Sequence, residues 1–110
     1  MATSILSKAF IKKSGTVTLQ PHVDTTLASI NLDAVGVWLI IGHMSGDVPS
    51  YSATLNNNSN EIDSRRGTST DPLILCGIAN TGTVTMVGYN INARDLCTAK
   101  YDLTIIQLSD

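Results

Sequence analysis

Short apolar runs that alternate in phase, each closed by turn-forming residues, recur from Phe10 to Leu108. No other feature narrows the available folds so much. Alternation with a period of two belongs to strands, and many short strands with regular turn signals specify a sandwich or barrel. The run Phe10 to Leu19 contains Gly15-Thr16-Val17-Thr18-Leu19, with Val17 and Leu19 on one face, and Pro21 closes it. Thr26 to Leu32 is the second run, expected to turn Leu27, Ser29 and either Ile30 or Leu32 inward. Asp33-Ala34-Val35-Gly36 reads as a turn.

Val37-Trp38-Leu39-Ile40-Ile41-Gly42-His43-Met44 is apolar on both faces. An antiparallel sheet usually leaves one face to water, so such a strand is central or covered, and the cover can be another subunit. Tyr51 to Leu55 follows, with Tyr51, Ala53 and Leu55 in phase. Asn56 to Pro72 is the longest polar stretch. Within it Ile62 is expected in a short edge strand and the rest in loops, since long structureless segments are rare inside a compact domain. Leu73 to Ala79 and Thr83 to Ile91 are strands about Asn80-Thr81-Gly82; in the second, Val84 and Met86 oppose Val87, Tyr89 and Ile91. Asn92 to Thr98 reads as a loop or bulge, and Tyr101 to Leu108 as the last strand. The expectation is an all-β antiparallel sandwich of about eight strands. It spans residues 1–110 as one domain, with 1–10 an N-terminal extension or the end of a stalk.

Composition agrees. The chain has one glutamate, Glu61, and is rich in Thr, Ser, Ile, Val, Leu and Asn. β-branched residues suit pleated surfaces, and Asn, Ser and Gly suit turns. Charged residues make up 15% of the chain, against about 25% in ordinary soluble domains. That shortage suggests surface hidden against another subunit. The net charge is −2. The only basic pairs are Lys12-Lys13 and Arg65-Arg66, too few for the basic stripe that a nucleic-acid partner needs. No apolar run approaches the ~20 residues needed to cross a bilayer, so no membrane insertion is expected, and the first residues lack the basic start and apolar stretch of a secretory leader.

The chemistry for catalysis is sparse. His22 and His43 are the only histidines. No Gly-x-Ser-x-Gly, phosphate loop or metalloprotease motif occurs, and no set of about four zinc ligands is spaced to bind. Asp24, Asp33, Asp47, Asp63, Asp71, Asp95 and Asp102 show no D-x-D-x-D spacing, so they read as turn and strand-end residues rather than calcium ligands. No enzyme activity, cofactor or metal is expected. Cys76 and Cys97 are expected as free, mostly buried thiols.

The polar stretch is the best binding candidate, because loops on a rigid sandwich often carry binding. Asn57, Asn58, Asn60, Arg65 and Arg66 can hydrogen-bond sugar hydroxyls, and Tyr51 is the candidate aromatic platform.

Gly36-Val37-Trp38-Leu39-Ile40-Ile41-Gly42-His43 resembles the Gly-x-aromatic strand of the C1q/TNF-like jelly rolls. Leu73-Ile74-Leu75-Cys76-Gly77-Ile78-Ala79 with Asn80-Thr81-Gly82-Thr83-Val84 is similar to their central hairpin, and Leu103 to Leu108 to their closing strand. The resemblance covers roughly residues 12–109, and the Thr/Asn-rich wording is closest in character to short fibre-head domains of bacteriophages and prophages. No Gly-x-y collagen repeat is present in the chain. The resemblance implies a homotrimer about a three-fold axis, with Trp38, Ile40, Tyr89, Tyr101, Leu103 and Ile105 as interface candidates divided between core and axis. It further implies a virion module made in the host cytoplasm, used for trimer assembly and for contact with a bacterial cell-surface glycan or protein. The alternatives are a purely structural trimerisation or capsid-decoration protein, or a secreted, extracellular C1q-like ligand-binding domain.

Overall fold

The computed structural model describes residues 10–32, 36–68 and 71–109. These form eight strands: β1 (Phe10–Leu19), β2 (Asp24–Leu32), β3 (Val37–Ser45), β4 (Tyr51–Asn57), β5 (Asn60–Gly67), β6 (Leu73–Ala79), β7 (Gly82–Asn90) and β8 (Cys97–Ser109). No helix occurs among the described residues. The strands pair antiparallel in two four-stranded sheets, ordered β1-β8-β3-β6 and β2-β7-β4-β5. Consecutive strands β2 to β8 alternate between the sheets except at the β4–β5 hairpin, which gives the eight-stranded, double-sheet architecture of a jelly roll. The first sheet here means β1-β8-β3-β6, the second β2-β7-β4-β5. The expected turn at 33–36 lies outside the described residues except for Gly36, as do residues 1–9 of the expected extension.

Alternation decides what goes inside. In β3, Trp38, Ile40 and Met44 are fully buried, while Val37, Leu39, Ile41 and His43 face out. β7 turns Val84 and Met86 inward, opposite Thr83, Thr85, Val87 and Tyr89. β8 contributes Cys97, Ala99, Leu103 and Ile105 to the same core, and β4 contributes Tyr51, Ala53 and Leu55. β2 departs from simple alternation. Its pairing with β7 slips between Thr26 and Ala28, so Leu27 is the extra residue of a bulge. A bulge reverses the phase beyond it: Leu27, Ala28, Ile30 and Leu32 are buried, and Ser29, expected inside, faces water.

The polar stretch is mostly strand. Asn57 and Asn60 pair across a two-residue turn, Asn58-Ser59, and β5 runs antiparallel to β4 as an edge strand. The edge strand expected at Ile62 is there, and it extends over residues 60–67, where the flanking residues were expected as loop. β5 is hard to tell from a loop in sequence because it lies at the edge with both faces largely wet; only Ile62 packs against the core. Ile62 fills the space where a side chain at Gly77 would lie, which makes glycine necessary there.

Candidate functional site

The cross-strand registers assign every outward residue to a rung. On the first sheet one rung is apolar from edge to edge: Phe10, Ile106, Leu39 and Ile78 on β1, β8, β3 and β6. The next is Lys12, Thr104, Ile41 and Cys76, and the third Ser14, Asp102, His43 and Ile74. Phe10, Ile41, Ile74 and Ile78 are 62, 37, 65 and 51% exposed. Of the exposed large hydrophobic residues among those described, only Val23 and Leu96 lie elsewhere, in loops. The charges on these rungs stand toward β1 and β8, where Lys12 Nζ and Asp102 Oδ1 pair at 4.0 Å. Farther along, the face turns polar at Thr16, Lys100 and Ser45 and at Thr18 and Thr98, so an apolar field covers one end of it.

The second sheet presents the opposite chemistry. Its outward rungs are Asp24–Tyr89–Ser52–Arg66, Thr26–Val87–Thr54–Ser64 and Ser29–Thr85–Asn56–Glu61, followed by Asn31–Thr83. Neighbouring hydroxyls and amides bond along this face: Thr54 Oγ1 and Ser64 Oγ lie 3.1 Å apart, and Thr83 Oγ1 donates to Asn31 Oδ1 at 2.7 Å. At its loop end His22 stacks on Tyr89, with centroids 6.1 Å apart and planes 8° from parallel. His22 has a positive φ of 58°, an uncommon conformation for a residue with a side chain. Its backbone N–H donates to Asn90 O at 2.9 Å, and its Nε2 to Ile91 O at 3.1 Å. Ile91 N–H donates to Ser50 O, and Arg66 Nε donates to Ser50 Oγ at 3.3 Å. His22, Tyr89, Ser50 and Arg66 are thus joined through short links at one corner of the sheet.

This placement redistributes the binding candidates. Tyr51 is fully buried, and its hydroxyl donates between the carbonyls of Thr68 (2.7 Å) and Asp71 (3.1 Å). It anchors the β5–β6 connection and offers no platform. Asn57 Nδ2 donates to Thr81 O at 2.8 Å, and Asn58 Oδ1 accepts from Thr83 N–H at 3.1 Å. Both bind the β4–β5 turn to the β6–β7 turn, and only Asn60 of the three asparagines stays exposed without such a tie among the described bonds. Asn58 itself sits at φ 59°, and Gly82 at φ 92° has its α-carbon against the Asn58 side chain, so a β-carbon at Gly82 would collide there. Arg65 and Arg66 point to opposite faces, as consecutive strand residues must. Arg65 Nε lies 3.6 Å from Asp63 Oδ1, while Arg66 joins the outer face.

The interface candidates divide as well. Trp38, Ile40, Leu103 and Ile105 have no exposed surface and fill the core, so they supply nothing to a second copy. The reason is phase: their odd–even partners Leu39, Ile41, Thr104 and Ile106 take the outer positions. Tyr101 is half-buried and packs against the core, with its hydroxyl beside Gly15. Tyr89 is half-buried on the outer face of the second sheet. Sequence reasoning had its phase, opposed to Val84 and Met86, but not which side was inside. It did not bring His22, Asp24 and Ser52 beside Tyr89, because only strand order and register do that.

Elsewhere the polar chemistry is committed to structure. Asp63 Oδ2 accepts the edge N–H of Cys76 at 3.1 Å, and Asp47 Oδ1 accepts from Thr98 N–H at 2.8 Å. A cavity of about 390 Å³ lined by Ser45, Gly46, Asp47, Thr98 and Lys100 opens beside that contact. Asn90 is fully buried, donating to Leu19 O and Asp95 O and accepting from Asn92 N–H. Cys97 is buried, and burial pushes its thiol pKa up; Cys76 is exposed, contrary to the expectation of two mostly buried thiols. Both are unpaired with each other. Among the described residues no cluster of three or more His, Cys, Asp or Glu is placed to hold a metal ion.

No family model matches the chain. No curated protein matches it either. Solved structures do. A chain from Bacillus endospore appendages, a family of disulfide-linked pili, superposes with a TM-score of 0.58 at 10% identity, covering 99% of this chain and 97% of that one. The CBM36-1 domain of a multidomain xylanase from a Trinervitermes trinervoides hindgut metagenome gives 0.54 at 9% identity, covering 90% and 96%. VP2 of the infectious bursal disease virus subviral particle gives 0.52 at 13% identity, covering 92% of this chain but 33% of that chain. This chain thus spans about a third of the VP2 length. The fold is a jelly roll. At these identities the likeness carries the fold and nothing finer.

Proposed function

We propose that this chain is a non-enzymatic jelly-roll module that assembles with further copies of itself through the outer face of its first sheet, in the setting of a virion. The carrying observation is the apolar rung Phe10–Ile106–Leu39–Ile78 with Ile41 and Ile74 beside it. Exposed apolar patches of several hundred Å² mark interaction sites. The whole outer face, its polar end at Thr16, Lys100 and Ser45 included, is four strands wide at about 4.8 Å each and about nine residues long at about 3.3 Å each, roughly 570 Å² in plan. Two copies meeting on it bury about 1,100 Å², above the ~1,000 Å² a specific interface needs. An apolar rung with Lys12 on the edge strand β1 beside it has the anatomy of such an interface. The occupant is a second copy, because the rung Phe10–Ile106–Leu39–Ile78 carries no charge that would select a different, charged partner. A three-fold arrangement is what the C1q/TNF-like resemblance adds, and a fibre head is the particle position it suggests. Likeness to a chain of a viral subviral particle is compatible with that setting.

Light scattering tests the reading. The expected result is a mass of three times 11.7 kDa at micromolar concentration. A dimer overturns the trimer alone; a monomer overturns self-assembly. Cys76, on this face, gives a second measurement: its alkylation is expected to slow as the protein concentration rises.

A second reading sits beside the first. The outer face of the second sheet, hydroxyl-rich and carrying Tyr89, suits contact with a saccharide of a cell surface, and a carbohydrate-binding module shares the fold.

A further inference from the structure

We infer that the loop end of the second sheet holds a site for a neutral saccharide, built on the rung Asp24–Tyr89–Ser52–Arg66 and closed at one corner by His22. This rests on the second reading above and gives it residues. The register places one acceptor, one aromatic ring, one hydroxyl and one guanidinium in line across β2, β7, β4 and β5. Neighbouring strands lie about 4.8 Å apart, so the rung spans about 14 Å. That length suits a short oligosaccharide rather than a single sugar.

Each group has a task that sugar chemistry recognises. A pyranose ring offers an apolar face of C–H groups and a rim of hydroxyls. Tyr89, half-buried on the sheet, supplies an apolar surface with a polar tip. Ionised Asp24 only accepts and Arg66 only donates, while a hydroxyl does both, so adjacent hydroxyls can satisfy either end of the rung. Ser52 can serve in either sense. The charges at the two ends cancel, which selects a neutral saccharide over an anionic one.

Two further observations single out this rung from the others on the face. His22 keeps an uncommon φ of 58° while its ring lies parallel to Tyr89. Its Nε2 donates to Ile91 O, and Ile91 N–H donates to Ser50 O, whose side chain accepts Arg66 Nε. Strained backbone of this kind persists where surrounding contacts fix it, and gathers at ligand sites. The effect here is to hold the aromatic ring and the guanidinium in place before a ligand arrives, which reduces the ordering cost of binding. No other rung on either outer face combines a ring with charges of both signs.

The test is an NMR titration of the assembled full chain with xylohexaose, cellohexaose and maltohexaose. At least one is expected to shift the amides of Asp24, Ser52, Arg66 and Tyr89, and not those of β1 or β6. Tyr89→Ala is expected to weaken that binding at least tenfold and Tyr89→Phe by less than threefold; Arg66→Ala and Asp24→Ala are expected to weaken it severalfold, with folding checked by circular dichroism. Binding that shifts other residues and survives Tyr89→Ala overturns this site and leaves the saccharide reading standing. No shift with any of the three hexasaccharides overturns both. The amide shifts of the unaltered protein decide the question even if a variant fails to fold.

Discussion

The outer faces of the two sheets differ more than any other two regions of this molecule. Both are four strands wide, both lie over one shared core, and both are read off the same alternation. Yet the first carries Phe10, Leu39, Ile41, Ile74, Ile78 and Ile106, and the second carries Ser29, Ser52, Thr54, Ser64, Thr83 and Thr85. An antiparallel sandwich needs only its inner faces to be apolar. The apolar outer face therefore does nothing for the fold of one copy, and its cost in solubility is offset only if something covers it. The hydroxylated face needs no cover. An assembly that buries the first sheet leaves the second, with Tyr89 and Arg66, turned outward.

The largest effect expected separates inside from outside within one strand. Trp38→Ala empties a fully buried site and is expected to cost about 3–5 kcal/mol. Leu39→Ala, one residue on, is expected to cost less than about 1 kcal/mol in the dissociated chain, as outward substitutions do. Urea unfolding at low protein concentration measures both. Equal losses would mean that β3 does not divide as described.

Next in size is the difference between the two outer faces. Burial of one isoleucine contributes up to about 1.5–3 kcal/mol, so Ile74→Lys with Ile78→Lys is expected to weaken self-association by more than about 100-fold. Thr54→Lys with Thr85→Lys on the second sheet is expected to leave it unchanged. Sedimentation at several concentrations reads the outcome. If the threonine pair disrupts assembly and the isoleucine pair does not, the two faces have been given each other's roles.

How much of this was open to sequence reasoning follows from the same geometry. Most of the strands, the in-phase sets of β4 and β7 and the double apolarity of β3 are local, and local alternation reveals them, though not which side of β4 or β7 faces the core. The phase of β2 was hidden, because one extra residue at Leu27 reverses it and nothing in Thr26-Leu27-Ala28-Ser29 announces a bulge. Ile62 marked the edge strand, but the length of β5 was hidden, because an edge strand with two wet faces has no apolar alternation to see. Tyr51 was misjudged because a tyrosine's hydroxyl can be satisfied indoors, here by two backbone carbonyls. The rungs were beyond reach: Phe10 meets Ile106, and Asp24 meets Tyr89, only once strand order and register are known.

A smaller effect tests whether the polar face is organised or merely wet. Thr83→Val removes the donor to Asn31 Oδ1 and is expected to cost about 0.5–1.5 kcal/mol, the net worth of one hydrogen bond. Thr26→Val, two rungs away and exposed, is expected to change stability by less than about 0.5 kcal/mol. Thermal unfolding of the two variants ranks them. Indistinguishable values would reduce the Thr83–Asn31 contact to a solvated pair.

The smallest effect falls on the charges that edge the two faces. Lys12 and Asp102 are about half exposed and 4.0 Å apart, and such pairs contribute about 0–1 kcal/mol. Lys12→Ala is thus expected to leave unfolding nearly unchanged. Its consequence appears in assembly, where the ammonium sits at the margin of the apolar field and loses water when a second copy docks. Removing it is expected to strengthen self-association slightly and to make it less sensitive to salt, since exposed charges are screened over about 10 Å at 0.1 M. Arg66→Ala, at the far edge of the second sheet, is expected to change neither the association constant nor its salt dependence. Sedimentation at low and high salt compares the two. A response from Arg66 rather than Lys12 would place the contact between copies on the hydroxylated face, where a bound saccharide would then compete with assembly.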